Sequence, residues 1–168
     1  LNGYNWTKPA LNIIEFRNSK RNNIVYDRSV KGSCGYAGGT VFKDPSAKST
    51  AERYKLIYLG QQAGLQIRGA VSSDGIYWKP IQKPLLDNYM SDTQTTAYWD
   101  RNLSCYVGYF RGWIHNSPGR GRRIISRAVT SDFRKWQRPV PVLQLGINYH
   151  PSHDLYTNAH VLYPSRDD

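Results

Sequence analysis

Residues 92–100 read DTQTTAYWD, 104–110 SCYVGYF, 122–136 RRIISRAVTSDFRKW and 139–143 PVPVL. These four apolar, β-leaning runs are separated by turn-prone or charged residues, the pattern of a small antiparallel meander. The same phrase occurs earlier as YAGGTVFKD (36–44), RYKLIYL (53–59), LQIRGAVSSDGIYW (65–78) and KPIQKPLL (79–86). A repeat of this length sets the architecture before any single residue does. In register, Asp44 falls on Asp100, Ala70 on Ala128, Asp74 on Asp132 and Trp78 on Trp136.

Fragments of the phrase flank the two whole copies. Asn2-Gly3 stands where Asp74-Gly75 does, and Trp6 with Pro9 matches Trp78-Lys-Pro80 and Trp136-Gln-Arg-Pro139. At the other end TNAHVLYP (157–164) lies on GGTVFKDP and QTTAYWDR. One four-stranded sheet per repeat predicts an all-β chain forming part of a five-bladed β-propeller, two blades complete and two incomplete. Residues 1–9 close a blade, 10–35 connect, 36–87 and 88–145 are complete blades, and 146–168 begin another. Propellers need about 4–8 blades, so the chain is expected either to be a piece of a longer protein or to complete its ring by self-association. A homo-oligomer joined through exposed blade edges follows from the second route.

No window shows sustained apolar spacing at i, i+3, i+4 and i+7, so helices should be few. No apolar run approaches the roughly 20 residues of a membrane helix, and no membrane partner is expected. Cys34 and Cys105 show no disulfide framework and read as buried thiols. The formal charge of +11 across 168 residues favours anionic partners. Its densest patches are residues 17–21 and Gly119-Arg-Gly-Arg-Arg123, the latter equally readable as a solvated hairpin tip.

Along the chain, the connector 10–35 carries two short apolar runs and reads as an outer strand followed by a crossing. The glycine-rich 33–39 precedes a strand rather than a helix, which argues against a phosphate loop. Glycines there would let backbones crowd around a central channel. The long insertion 111–123 contains Trp113 and His115, which either line a pocket rim or pack under their own loop. Asp74 and Asp132 recur in the turns before Trp78 and Trp136, so they are architectural.

Four residues before Thr40, Thr96 and Asn158 stand Tyr36, Asp92 and Asp154. These positions head successive innermost strands, which in a propeller ring the channel mouth. Two carboxylates from neighbouring blades thus face one cavity, the pair that glycoside hydrolysis requires. A separation of about 5–5.5 Å would give retention and roughly 6.5–9.5 Å inversion. The plain alternative is that each Asp accepts backbone hydrogen bonds in its own loop. His153 either orients Asp154 or contacts a sugar hydroxyl. Tyr36, Tyr89 and Tyr156 either stack on sugar faces or fill gaps between blades. His150, His153 and Asp154 lack a metal-ligand spacing, so neither metal nor cofactor is expected.

The phrases W-x-K-P, N-N-I-V, T-V-F-x-D-P, E-R-Y-K-L, S-S-D-G-x-x-W and H-D-L-Y-T-N-A resemble the five-bladed propeller glycoside hydrolases of the invertase-like and arabinanase-like clan. The resemblance covers nearly the whole chain and rests on blade-building phrases more than catalytic ones. It implies three acidic residues at the channel mouth: a nucleophile or base, a stabilising Asp and a general-acid Glu. Asp92 and Asp154 match two of these by position. Phe42-Lys-Asp44-Pro45 looks like the family's Arg-Asp-Pro motif, but the internal register sets Asp44 at the far end of its strand. The only glutamates, Glu15 and Glu52, are not placed as the acid. The expected function is therefore binding or cleavage of a glycan at the mouth, with Asp92 and Asp154 catalytic and Tyr36, Trp113, His153 and Tyr156 contacting substrate. The alternatives are a non-catalytic module for acidic glycans carried by Arg120, Arg122 and Arg123, or an inactive propeller fragment. A nucleic-acid partner ranks last, because no recognition motif interleaves the basic residues.

Overall fold

The computed structural model describes residues 3–31, 33, 37–60, 66–114, 121–146, 148–150 and 152–161. Tyr36, Cys34, His115 and Arg120 lie outside the described residues. The described residues are all-β: two four-stranded antiparallel sheets, and one helical turn of 3-10 type at Thr50–Glu52. The first sheet runs in chain order through β1 (Ala37–Lys43), β2 (Tyr54–Gly60), β3 (Gln66–Ser72) and β4 (Trp78–Pro80). The second repeats it with β5 (Thr96–Asp100), β6 (Cys105–Trp113), β7 (Arg123–Thr130) and β8 (Val140–Leu143). The two sheets do not close into a ring within the described residues.

Strand periodicity explains the layering. Successive side chains alternate between faces, so Ile57 and Leu59 on β2 turn one way while Leu56 and Tyr58 turn the other. The first pair joins Ile67, Val71, Leu85 and Tyr89 against Tyr106, Phe110, Phe133 and Trp136 of the second sheet. The other pair packs with Ala70 and Trp78 beneath Val25 and Tyr26 of the connector. Because β2 is covered on both faces, its sequence is a nearly continuous apolar run rather than a polar–apolar alternation.

The repeated turn is built alike wherever it occurs. The indole N–H of Trp78 donates to the carbonyl of Gly75 at 3.1 Å, that of Trp136 to Phe133 at 2.8 Å, and that of Trp6 to Gly3 at 2.9 Å. Asp74 accepts from the N–H groups of Ile76 and Tyr77, and Asp132 from that of Arg134. Trp6 nevertheless remains 86% exposed, whereas Trp78 and Trp136 are buried on their own sheets.

Two stretches differ from expectation. The described part of the connector forms no strand, only an isolated bridge between Phe16 and Ser19. Asn22 holds its shape instead, donating to the carbonyls of Ile14 and Ser19 and accepting from the N–H of Ile24. Positive φ at Asn12, Arg17 and Asn18 breaks the extended backbone a strand would need. Residues 152–161 likewise carry no strand; among the described residues no second strand pairs with them.

The starts of β1 and β5 lie side by side. Thr95 N–H donates to the Gly38 carbonyl at 2.9 Å, and the Thr40 hydroxyl to the Thr95 carbonyl at 2.6 Å. On the other side Thr96 bonds Asn158 at 3.0 Å, and the His160 ring stacks on those of Tyr98 and Tyr109. Gly38 has φ +46° and a Cβ there would overlap the Thr93 carbonyl oxygen. The expected glycine crowding is therefore present at that residue.

Candidate functional site at the strand heads

The site grows from the β6–β7 hairpin, which extends beyond the start of β5. Arg111 and Trp113, two residues apart on β6, share one face, and Arg123 on β7 is the cross-strand partner of Trp113. Ser91 docks the chain entering β5 onto this hairpin: its buried hydroxyl accepts from the Arg111 N–H at 3.0 Å and bonds Thr95 at 2.9 Å. The next residue, Asp92, is thereby set beside the Arg111 side chain.

Two arginines gather the predicted residues. Arg111, whose side chain is only 3% exposed, donates from Nη1 to Asp92 Oδ1 at 2.6 Å. Its Nη2 donates to the Tyr156 carbonyl at 2.5 Å. Arg123 grips Asp154 twice, from its backbone N–H at 2.7 Å and from Nη1 at 2.5 Å. Both guanidiniums face the same two rings: Arg111 lies 4.6 Å from the Tyr156 centroid and 5.9 Å from Trp113, Arg123 5.0 and 4.9 Å respectively. A bond from the Leu155 N–H to the Arg123 carbonyl fixes 154–156 against β7. The Nε atoms of both arginines are buried without an acceptor among the described residues.

Asp92, Asp154, Trp113 and Tyr156 are thus brought together. The backbone N–H of Arg123 holds the Asp154 carboxyl below the ordinary carboxylate range, outweighing partial burial, with the Arg123 side chain and the charges of Arg123 and Arg111 adding to it. Asp154 is therefore ionised, the state of a base, nucleophile or hydroxyl acceptor and not of a proton donor. His153 stands apart: it is exposed, its N–H donates to the His150 carbonyl, and its ring lies edge-on to Tyr149. Among the described residues its side chain does not bond Asp154. Tyr89 fills the gap between the sheets, its hydroxyl donating to the Arg111 carbonyl at 2.9 Å. Tyr156 is 63% exposed, so its ring is open to a ligand. Among the described residues no three His, Cys, Asp or Glu side chains gather as a metal requires.

Arg111 is the residue that sequence reasoning missed, and Arg123 was read as part of the basic tip that would carry an acidic glycan, not as the partner of Asp154. Their signal is alternation: once β6 is a strand, Arg111 and Trp113 share a face, and hairpin pairing adds Arg123. The carboxylate partners are 19 and 31 residues away, beyond any local pattern.

A second polar cleft of about 650 Å³ lies at the opposite end of the strands, lined among others by Ser46, Glu52, Lys55, Trp99, Tyr106 and Arg134. Asp44 is bound to three of these lining residues, accepting from Tyr106 at 2.8 Å, from Ser46 at 2.7 Å and from Lys55 at 3.0 Å. Burial pushes its carboxyl up, but the bonds from Ser46, Lys55 and Tyr106 outweigh this and hold it below the ordinary range. Glu52 pairs with Arg134 across the two sheets at 2.5 Å. These groups satisfy one another and tie sheet to sheet. Asp44 is thus remote from the strand heads.

No family model and no curated protein matches the chain.

Proposed function

We propose that the chain is part of a five-bladed propeller of the glycoside hydrolase type, and that the strand-head cluster is its glycan-binding mouth. What carries this reading is that Asp92 and Asp154, from matching repeat positions, meet one pair of arginines and one pair of aromatic rings. The lateral contacts of Gly38–Thr40, Thr95–Thr96 and Asn158 are what neighbouring inner strands around an axis would make. Carboxylate oxygens accept from sugar hydroxyls, and an exposed tyrosine ring beside them offers a face to a pyranose.

Binding fits the geometry better than hydrolysis. Each carboxylate is neutralised by an arginine, while a general acid must be kept protonated by its surroundings. Of the two glutamates, Glu52 sits in the remote cleft and Glu15 is exposed in the connector. The test is a panel of fructosides, arabinosides and acidic glycans scored for both retention and turnover. Retention without turnover, weakened in Asp92→Asn and Asp154→Asn, is the expected result. Turnover abolished by either substitution would make the mouth an active site, and a chain that neither retains nor cleaves any glycan would reject the proposal.

A further inference from the structure

On β6, Trp113 also forms part of a pocket of about 270 Å³ that is lined by Tyr89, Ser126 and Arg138, among others. Three features set it apart from ordinary packing defects. Trp113 is only half-buried and forms one wall of the pocket. Arg138 lies 5.6 Å over the Tyr89 ring and, unlike Arg111, Arg123 and Arg134, has no carboxylate partner among the described residues. The remaining lining offers an Asn88 amide, the Ser126 hydroxyl and the proline rings of Pro139 and Pro141.

The volume is just below the roughly 300 Å³ at which small-molecule pockets begin, which suits one ring rather than a chain. An unneutralised guanidinium selects a carboxylate. The amide and hydroxyl suit ring hydroxyls, and the prolines and tyrosine suit the C–H face of a sugar. Because Trp113 borders both this pocket and the arginine pair, two neighbouring sugar residues would share it as a dividing wall.

We propose that this pocket is a second subsite that takes a single carboxylate-bearing sugar residue, a uronate, making the ligand of the mouth an acidic oligosaccharide. The proposal rests on the carbohydrate reading of the mouth and adds charge and length to it. The experiment follows the tryptophan indole N–H resonances during titration with sodium galacturonate, with galactose as the neutral control. The Trp113 resonance is identified by its loss in Trp113→Phe or, should that variant misfold, by selective labelling and contacts to Ile124. The expected result is a saturable shift of that resonance with galacturonate, absent with galactose, and an affinity at least about tenfold weaker in Arg138→Gln. An unmoved resonance, an equal response to galactose, or undiminished affinity in Arg138→Gln would overturn the subsite. Binding of a neutral oligosaccharide that Arg111→Met abolishes reports on the mouth separately. If that binding is seen while galacturonate leaves Trp113 unmoved, the subsite alone falls; if neither is seen, the mouth falls with it.

Discussion

Replacing Lys55 with methionine isolates the contribution of the polar lock between the sheets. The Lys55 side chain is 3% exposed and that of Asp44 0%, with Nζ and Oδ2 3.0 Å apart. At an effective dielectric of about 20, attraction at that distance is roughly 5–6 kcal/mol, much of it offset by desolvation of both ions. Removing one partner of a buried pair costs about 3–5 kcal/mol, because the other is left charged and buried. Here the hydroxyls of Ser46 and Tyr106 still donate to Asp44, which sets the expectation at the lower end, about 3 kcal/mol. For a domain of this size each kcal/mol moves Tm by about 2–4 °C, so a drop of roughly 6–12 °C is expected by calorimetry. The sign of the pH dependence is fixed as well. In the wild type Asp44 titrates below 3.8, so its stabilisation is present above that value and is lost as pH falls through the depressed folded pKa. In Lys55→Met the carboxyl loses its cation and is more readily protonated. The Tm gap to wild type should therefore narrow on acidification, and Asp44→Asn/Lys55→Met should lose less than the single variant. A gap that is under about 2 °C, or that stays constant with pH, would refute this account of the lock.

Other consequences follow from individual residues. Gly38→Ala forces a Cβ against the Thr93 carbonyl at positive φ, and should cost more than about 2 kcal/mol in urea unfolding; an unchanged midpoint would contradict the packed strand heads. Carboxyl titration by NMR should find Asp154 protonating below 3.8, with glycan affinity retained above that value and lost as pH falls through the folded pKa; a midpoint above 3.8 would contradict the Arg123 clamp. Trp6, 86% exposed although its counterparts are buried, should be covered by a second copy in solution; sedimentation showing a stable monomer would count against that assembly.

The two four-stranded sheets were legible because their information is local. Alternation and turn chemistry anticipated the strands, although the run 79–86 is strand only at its start, in Trp78–Pro80, and the Asp74 and Asp132 turns hold their tryptophans as the repeat implied. The connector was not legible: its apolar runs suggested a strand, but Ile14, Val25 and Tyr26 are apolar because they pack against the chain and the face of the first sheet, with Asn22 supplying the bonds a ladder would have made. At the site, the register set Asp92 and Asp154 at matching repeat positions, but it could not give their environment. A register gives which strand end a residue occupies. It does not say that Arg111, from the far side of the same hairpin, will reach Asp92 and place its guanidinium beneath Tyr156. His153 illustrates the same limit: adjacent in sequence to Asp154, it turns toward Tyr149.

The central claim is tested most directly by isothermal titration of the protein with an acidic oligosaccharide at low and moderate salt. The account predicts saturable binding, at least about tenfold weaker in Arg111→Met and in Asp154→Asn, and weaker as salt rises. Absence of binding by the folded wild type to acidic and neutral oligosaccharides alike, or equal affinity in all three proteins, would contradict it.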